Sequence, residues 1–122
     1  MSKLIYLASP YSDPSHDVKV MRFEAVCRVA FNLIKKTDNV FFVPIAMSHA
    51  IETEASDVKG LILSLPHEKW MQQDLAILKR CDELMVVCLP GWKTSKGVTE
   101  EIAFAKEHNI PITYLKRGVS IC

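Results

Sequence analysis

Three residues with side chains suited to acid–base or nucleophilic chemistry, Tyr6, Asp74 and Glu101, lie in largely apolar surroundings in the sequence. Asp74 falls in the middle of a predicted helix, although Asp is a weak helix former that normally occupies caps. Tyr6 lies inside an apolar run, and a buried Tyr hydroxyl needs a partner, which a carboxylate in a crevice would supply. Each residue also has a plainer interpretation: a surface charge for Asp74, a packed aromatic for Tyr6 and an acid favoured by the helix dipole for Glu101.

Helix phase distinguishes Glu101 from its neighbour Glu100. Val98, Ile102 and Ala105 share one side of the predicted helix, which is the side expected to face a sheet. A carboxylate at the border of that side can point along the sheet edge into a crevice. We therefore expect Glu101 to reach the crevice and Glu100 to face water.

The segment before this helix is the strongest candidate for an anion site. A turn containing Gly91 leads into Ser95 and Gly97 at the predicted helix start. Free backbone N–H groups, a hydroxyl, a glycine that allows close approach and the positive end of the helix together suit one phosphate. The simpler interpretation is that Thr94 or Ser95 only caps the helix. Trp92 in the same segment is either a lid over a planar ring, which we favour, or a hydrophobic plug.

Glycine is scarce, which excludes two common nucleotide-binding loops. The chain has four Gly in 122 residues, about half the usual share of roughly 7%. No G-x-G-x-x-G pattern occurs. Gly91 and Gly97 are one residue too far apart for a phosphate-binding Walker loop, and Lys96 precedes the second glycine instead of following it. Polyphosphate cradling is therefore excluded, whereas recognition of one phosphate remains open.

The sequence predicts neither a metal site nor a cofactor. Its histidines and cysteines occur singly, without the spacings of a zinc site or a disulfide framework, so reduced core thiols are the simplest interpretation. Ser9 lacks the G-x-S-x-G context of an acyl-transfer nucleophile. The single residues in question are His16, His49, His67, His108, Cys27, Cys81, Cys88 and Cys122.

Charge and hydropathy limit the classes of partner that the protein is expected to bind. Fifteen basic and 14 acidic residues give a net charge of +1, and no basic block exceeds Lys35-Lys36, which argues against a nucleic-acid or anionic membrane surface. No apolar stretch approaches the roughly 18 residues of a membrane span. The run Leu4–Ala8 is too short for the apolar region of a signal peptide. We therefore expect a cytoplasmic protein that forms a single domain over residues 1–122.

The predicted elements alternate between strand and helix. Amphipathic periodicity predicts helices over Asp17–Lys36, with Asp17 as N-cap, Pro66–Arg80 and Ser95–His108. For residues 44–65 we expect a short helix from Pro44 to Glu54 and a loop or lid from Asp57 to Leu65. Short apolar runs predict buried strands at Leu4–Ala8, Val40–Val43, Leu84–Leu89 and Ile110–Leu115.

This alternation is typical of an α/β protein, and right-handed crossovers then require a mostly parallel sheet. We predict a small doubly wound sandwich, Rossmann-like or flavodoxin-like, with four or five strands. Ligands of open parallel sheets bind beyond the carboxyl ends of the strands. The segments after the first, second and third strands, which carry Ser9, Ile45 and Ser95, are therefore the ones expected to border the ligand crevice.

Four segments of the chain resemble the nucleoside 2-deoxyribosyltransferase-like superfamily, and within it small bacterial proteins similar to nucleotide N-hydrolases. The resemblance covers nearly the whole chain, with residues 44–65 least constrained, and the last segment is the most specific. These segments are Tyr6–Tyr11, Trp70–Asp74, Cys81–Leu84 and Leu89–Ile102.

The resemblance implies cleavage of an N-glycosidic bond by two displacements, with Glu101 as nucleophile and a covalent glycosyl-enzyme. Tyr6 would orient Glu101, and Asp74 would act as general acid or position the base. Ser95 stands where transferases of free nucleosides tend to carry an acid, so a 5′-monophosphate held by Ser95 and Gly97, with Ser9 as a second contact, is favoured.

Two other classes of function remain open. A nucleotide sensor without catalysis would use the same crevice, and a structural interaction protein would need none of these side chains for chemistry. The resemblance also implies a homo-oligomer, with Trp70, Met71 and Trp92 partly at its interface. The expected partner is a small-molecule nucleotide or nucleoside.

Overall fold

The computed structural model of the chain describes residues 2–59 and 64–116. Its centre is a four-stranded parallel sheet in the order β2-β1-β3-β4. The strands are β1 (Leu4–Ala8), β2 (Val40–Phe42), β3 (Glu83–Val87) and β4 (Ile112–Leu115). The predicted α/β fold with a parallel sheet is therefore confirmed.

In the described part of the chain, four α-helices flank the sheet. They are α1 (His16–Lys36), α2 (Pro44–Lys59), α3 (His67–Leu78) and α4 (Lys96–Glu107), and a short 3-10 helix (Trp92–Thr94) precedes α4. The chain leaves β1 toward β2 on one side and returns to β3 on the other, so the strand order reverses between β1 and β3. Such a reversal opens a crevice at the carboxyl ends of the two strands.

Side-chain alternation along β1 divides the core into two layers. Leu7 packs with Val26 and Val29 of α1 on one face of the sheet. Tyr6 points to the opposite face, where Leu78 of α3 and residues of α4 complete a second cluster. Since successive strand residues face opposite sides, this register places the Tyr6 side chain among the helices that carry Asp74 and Glu101.

The helix boundaries differ in part from the prediction: the helix predicted over Pro66–Arg80 is His67–Leu78, and the one predicted over Ser95–His108 is Lys96–Glu107. The side chain of Ser15, and not that of Asp17, caps α1, because Ser15 Oγ accepts the N–H of Val18 at 3.4 Å. Helix α2 continues past Glu54 to Lys59, since no proline or glycine interrupts it there. The predicted loop or lid over 57–65 is therefore helical at its start, and residues 60–63 of it lie outside the described part of the chain.

Three strands are shorter than predicted, and the second of the sheet's strands in chain order ends at Phe42 and not at Val43. The third ends at Val87, because the N–H of Leu89 already bonds the carbonyl of Val87 at 2.9 Å in a turn. The fourth begins at Ile112, after Pro111, and not at Ile110. Cys27, Cys81 and Cys88 are free thiols, whereas Cys122 lies outside the described residues.

Across residues 2–59 and 64–116, the helices are each too short or too polar to cross a lipid bilayer.

Candidate active site

A cleft of about 550 Å³ lies beyond the carboxyl ends of β1 and β3. The loops after these strands, together with the first turns of α4, form one wall, and α2 and α3 supply the other. Residues from the loop wall include Ser9, Gly91, Ser95, Gly97 and Glu101, and those from the helix wall include Ile45, Glu52, Trp70, Met71 and Asp74. The segments after β1 and β3 therefore meet at one crevice, as the sequence predicted.

Glu101 lines this cleft and is joined to Tyr6, which is buried beneath it. The Tyr6 hydroxyl donates a hydrogen bond to Glu101 Oε2. Tyr6 is fully buried on β1, and Glu101 is 5% exposed on the side of α4 that also buries Val98 and Ala105. The expectation that a crevice carboxylate partners the Tyr6 hydroxyl is confirmed by this contact.

Asp74 lies on the inner face of α3, at helical spacing from the buried residues Met71 and Leu78. Its side chain is 6% exposed, and Oδ1 is buried with no hydrogen-bond partner among the described residues. A buried polar atom without a partner is costly in a native protein. Asp74 is therefore no ordinary surface charge, and its Oδ1 can form a hydrogen bond with a ligand in the cleft.

Burial raises the pKa values of both carboxyl groups. That of Glu101 rises from 4.5 to about 8, because burial and the nearby charges of Asp74 and Glu100 outweigh the hydrogen bond from Tyr6, which lowers it. The pKa of Asp74 rises from 3.8 to about 6 through burial, against a lowering effect of His67. Such displaced values in a cleft are typical of functional sites.

Burial, followed by the negative charge of Glu101, holds the pKa of the Tyr6 hydroxyl well above its ordinary value of 10.0. Tyr6 therefore stays protonated throughout the physiological range and remains a hydrogen-bond donor to Glu101. With one oxygen engaged by Tyr6, Glu101 keeps its second oxygen for another contact.

The other end of the cleft is the N-terminus of α4. Ser95 is its N-cap, and its Oγ accepts the N–H of Val98 at 3.2 Å, so the capping interpretation describes a contact that is present. A Cβ at Gly97 would meet only His67 Cε1, at 3.9 Å, which is ordinary contact. No described residue therefore requires glycine there, and the space beside the first turn is accessible.

Ser9, in the loop after β1, borders the same space. The residue is 5% exposed, and its Oγ has no hydrogen-bond partner within residues 2–59 and 64–116. A buried hydroxyl without a protein partner at a cleft is a donor for a ligand. Ser9, Ser95 and Gly97 thus line the cleft together, as predicted for substrate-binding residues.

Unlike Gly97, Gly91 is a glycine that the backbone and its neighbours require. Its φ is +94°, and a Cβ there would lie 2.6 Å from Arg22 Nη2. Arg22 in turn donates to the carbonyl of Ser12 at 2.9 Å and to that of Pro90 at 3.4 Å. It thereby ties the loop after β1 to the loop after β3, a function that its sequence position on an amphipathic helix did not signal.

The structure does not bring Trp92 to the cleft. Its ring packs against Tyr114, with centroids 5.5 Å apart, and against the core cluster formed with α3 and α4. The predicted lid over a planar ring is therefore wrong, and Trp92 is the hydrophobic plug. Trp70 lines the cleft instead, and its position four residues before Asp74, on the same helix face, was the signal for it.

Glu100 also differs from expectation. Instead of only facing water, its Oε2 lies 2.5 Å from His67 Nε2, in a half-exposed pair between α4 and α3. His49 similarly contacts the Tyr11 hydroxyl at 2.7 Å. The first pair depends on how α3 packs against α4, and the second on how α2 packs against the loop after β1, which sequence spacing does not encode.

In the described ranges, no group of three His, Cys, Asp or Glu residues is placed to hold a metal ion.

A family model described as "Domain of unknown function (DUF1937)" matches residues 3–116, nearly the whole chain. A comparison with curated proteins finds no match.

Proposed function

The chain belongs to the DUF1937 family, and we propose that it cleaves the N-glycosidic bond of a nucleoside or deoxynucleoside 5′-monophosphate through a covalent glycosyl-enzyme. Water or a second base then resolves the covalent glycosyl-enzyme. The observation that carries the proposal is the buried Tyr6–Glu101 hydrogen bond in an accessible cleft that also holds Asp74, whose Oδ1 has no hydrogen-bond partner in the described part of the chain. Two carboxyl groups of this kind are what a retaining glycosidic mechanism uses.

In the first displacement, the free oxygen of ionised Glu101 attacks the anomeric carbon of the sugar. A C–O bond to Glu101 forms while the C–N bond to the base breaks, and the bonding electrons leave with the base. Asp74 in its acid form gives a proton to a base nitrogen, which makes the base a better leaving group. Tyr6 holds Oε2 of Glu101 and so aims the other oxygen.

In the second displacement, water attacks the same carbon from the face that the base has left. Asp74, now a carboxylate, takes the proton from the water, and the bond between the sugar and Glu101 breaks. If a second base attacks instead, the product is a new nucleotide. Both steps use the same two carboxyl groups, with the acid of the first step serving as base in the second.

In the protein without substrate the two pKa values lie in the reverse order of these roles, because Asp74 ionises at lower pH than Glu101. The reactive form, with ionised Glu101 and protonated Asp74, is therefore a minor species of the pair. Asp74, with a pKa of about 6, is still protonated in part near neutral pH and can act as acid. Glu101, with a pKa of about 8, must lose its proton before it attacks, and it is then a more basic nucleophile than an exposed carboxylate. Enzymes raise carboxyl pKa values by burial for this kind of chemistry.

The far end of the cleft supports the monophosphate. Backbone N–H groups in the first turn of α4 have no helical partners and carry the positive end of the helix dipole. Gly97 leaves room beside them, and Ser9 offers a buried hydroxyl. Lys96 lines the same region and adds a positive charge. The acid typical of free-nucleoside transferases is replaced by Ser95, so a dianion meets no repulsion there.

The test is incubation with a panel of ribonucleoside and deoxyribonucleoside 5′-monophosphates, with release of free base measured by chromatography. We expect base release from at least one member, abolished in Glu101→Gln and reduced about 10²-fold or more in Asp74→Asn. Absence of release across the panel at high protein concentration overturns the proposal.

Thermal unfolding with the same panel separates the alternatives. Stabilisation by a nucleotide that survives Glu101→Gln, without base release, would indicate a sensor. No stabilisation and no release would indicate a structural interaction protein.

A further inference from the structure

The helix wall of the cleft has a composition that suits a heterocyclic base. Ile45 and Glu52 lie at helical spacing on α2, and Trp70 and Met71 lie beside Asp74 on α3, all lining the cleft. Apolar and aromatic surface next to a potential proton donor is what a planar base requires. On the proposed function, which this inference rests on and deepens, the base meets α2 and α3 while the phosphate meets α4.

Glu52 is the acidic residue that α2 contributes to this wall. Its Oε2 accepts two hydrogen bonds, from Trp70 Nε1 at 2.7 Å and from the backbone N–H of Leu65 at 2.9 Å. Both donors converge on one oxygen. Within residues 2–59 and 64–116, no hydrogen bond engages the other oxygen, Oε1. Glu52 therefore orients the indole of Trp70 and keeps one acceptor oxygen for a ligand.

An ionised carboxylate accepts hydrogen bonds and donates none. A base that turns an amino group toward Oε1 gains a charge-assisted hydrogen bond, which is stronger than one between neutral groups. A base that turns a carbonyl oxygen toward it places two acceptors together, and neither is satisfied. The chemistry of Glu52 thus distinguishes amino-bearing bases from their oxo analogues.

We propose that Glu52 selects the substrate base, admitting bases with an exocyclic amino group over bases with a carbonyl at the same position. Glu52 does so through Oε1, while Oε2 holds the Trp70 indole that the base packs against. Glu52 touches neither the anomeric carbon nor the phosphate, so it sets specificity and not the chemical step.

The test compares two pairs of nucleotides that differ by amino against oxo: CMP with UMP, and AMP with IMP, or their deoxy forms. In the pair that the enzyme accepts best, we expect kcat/KM to favour the amino member about tenfold or more. Equal values within twofold in both pairs would overturn the proposal.

Glu52→Gln sharpens the test, because the amide oxygen can still accept from Trp70 and Leu65 while an NH₂ donor replaces Oε1. We expect the ratio of amino to oxo member to fall to one or below. Glu54→Gln, exposed on the same helix, is the matched control and should leave the ratio unchanged. A Glu52→Gln protein with the wild-type ratio contradicts the assignment, and if this variant does not fold, the wild-type ratio decides.

Failure of the proposed function remains distinguishable. If no nucleotide releases its base, dissociation constants for CMP, UMP, AMP and IMP, measured by calorimetry on the wild-type protein, replace kcat/KM. Tighter binding of the amino members, lost in Glu52→Gln, supports the role of Glu52 without catalysis. Equal dissociation constants within each pair, or no binding of any of the four, overturn it.

Discussion

The two ends of the cleft are both served by α4, yet they depend on opposite physical conditions. One end of the cleft, called here its carboxyl end, holds the carboxyl groups of Glu101 and Asp74. There Glu101 lies with Tyr6 and Asp74 in a buried group in which charge is disfavoured and pKa values rise. At the helix end, Ser95 and Gly97 lie where backbone donors are accessible and charge of one sign is favoured. Only one helical turn separates Gly97 from Glu101.

This difference teaches how a small domain can divide binding from chemistry. Burial makes a carboxyl reactive but gives it little ability to attract a polar ligand, whereas an open helix N-terminus attracts an anion without reacting with it. Substitutions at the carboxyl end should therefore lower kcat, and substitutions at the helix end should raise KM. Residues next to each end serve as matched controls.

The largest effect is expected for Glu101→Gln, which keeps the shape of the side chain and removes the nucleophile. The rate constant kcat for base release should fall about 10³-fold or more, with little change in KM. Glu100→Gln is the control, since Glu100 belongs to the half-exposed pair with His67, and its kcat should stay within a few-fold of wild type. Equal losses in both variants would contradict the division.

Although Glu101→Gln lowers kcat, it should raise the free energy of unfolding. Because the pKa of Glu101 rises from 4.5 to about 8 on folding, the native state holds its proton more tightly than the unfolded chain. Its contribution to the free energy of unfolding is therefore complete below about pH 4.5 and is lost as pH rises through about 8.

The amide in Glu101→Gln does not titrate, so at pH 8 the variant should unfold at a higher temperature than wild type. Its free energy of unfolding should be higher by a few kcal/mol. At pH 5 the two proteins should differ much less. Asp74 from α3 and Tyr6 from β1 face the same group and stay unchanged in this variant. Thermal unfolding followed by circular dichroism measures the effect, and parallel pH profiles for the two proteins would refute the burial of a protonated Glu101.

Tyr6→Phe should have an intermediate effect. The phenyl ring keeps the packing beside Phe42, whose ring centroid lies 5.6 Å away, but Glu101 loses its donor. Because that hydrogen bond lowers the pKa of Glu101, the pKa should rise further, and the increase of kcat with pH should move to higher pH. We expect kcat near neutral pH to fall about 10–10²-fold. An unshifted pH–rate profile would mean that Tyr6 does not control Glu101.

The smallest effect tests the helix end. Gly97→Ala adds a methyl group to free space and removes a helical glycine, so the protein without nucleotide should gain up to about 1 kcal/mol in stability. The KM for the monophosphate should nevertheless rise, by about tenfold, because the methyl group occupies the phosphate approach.

Gly91→Ala is the control for that variant. Its φ of +94° and the 2.6 Å approach to Arg22 predict a loss of stability. Unfolding temperatures and KM values of both variants separate an effect on stability from an effect on phosphate binding. An unchanged KM in Gly97→Ala would place the phosphate elsewhere.

Much of the fold follows from the sequence because burial imposes a period on it. The apolar run Leu4–Ala8 and the helical spacing of Val98, Ile102 and Ala105 each report which faces are buried, and α/β alternation then restricts the topology. The same logic located the carboxyl end of the cleft. Tyr6 and Asp74 were identifiable because a polar group in apolar surroundings needs a partner or a function.

Other features depend on how separate elements pack, which local pattern does not encode. Trp92 lies in the segment after β3, a position that predicts a lid, but its ring packs against Tyr114. Glu52 and Arg22 acquire their roles only when α2 and α1 dock against the loops. The capping of α1 by Ser15 instead of Asp17 is a choice between adjacent residues with similar propensities.

The most direct test of Glu101 as nucleophile is mass spectrometry of the protein after acid quenching in the presence of a cleaved monophosphate. We predict a mass increase equal to the sugar phosphate, located on the peptide that carries Glu101 and absent in Glu101→Gln. Base release that continues at the wild-type rate in Glu101→Gln, or a sugar attached to a different residue, would contradict the account.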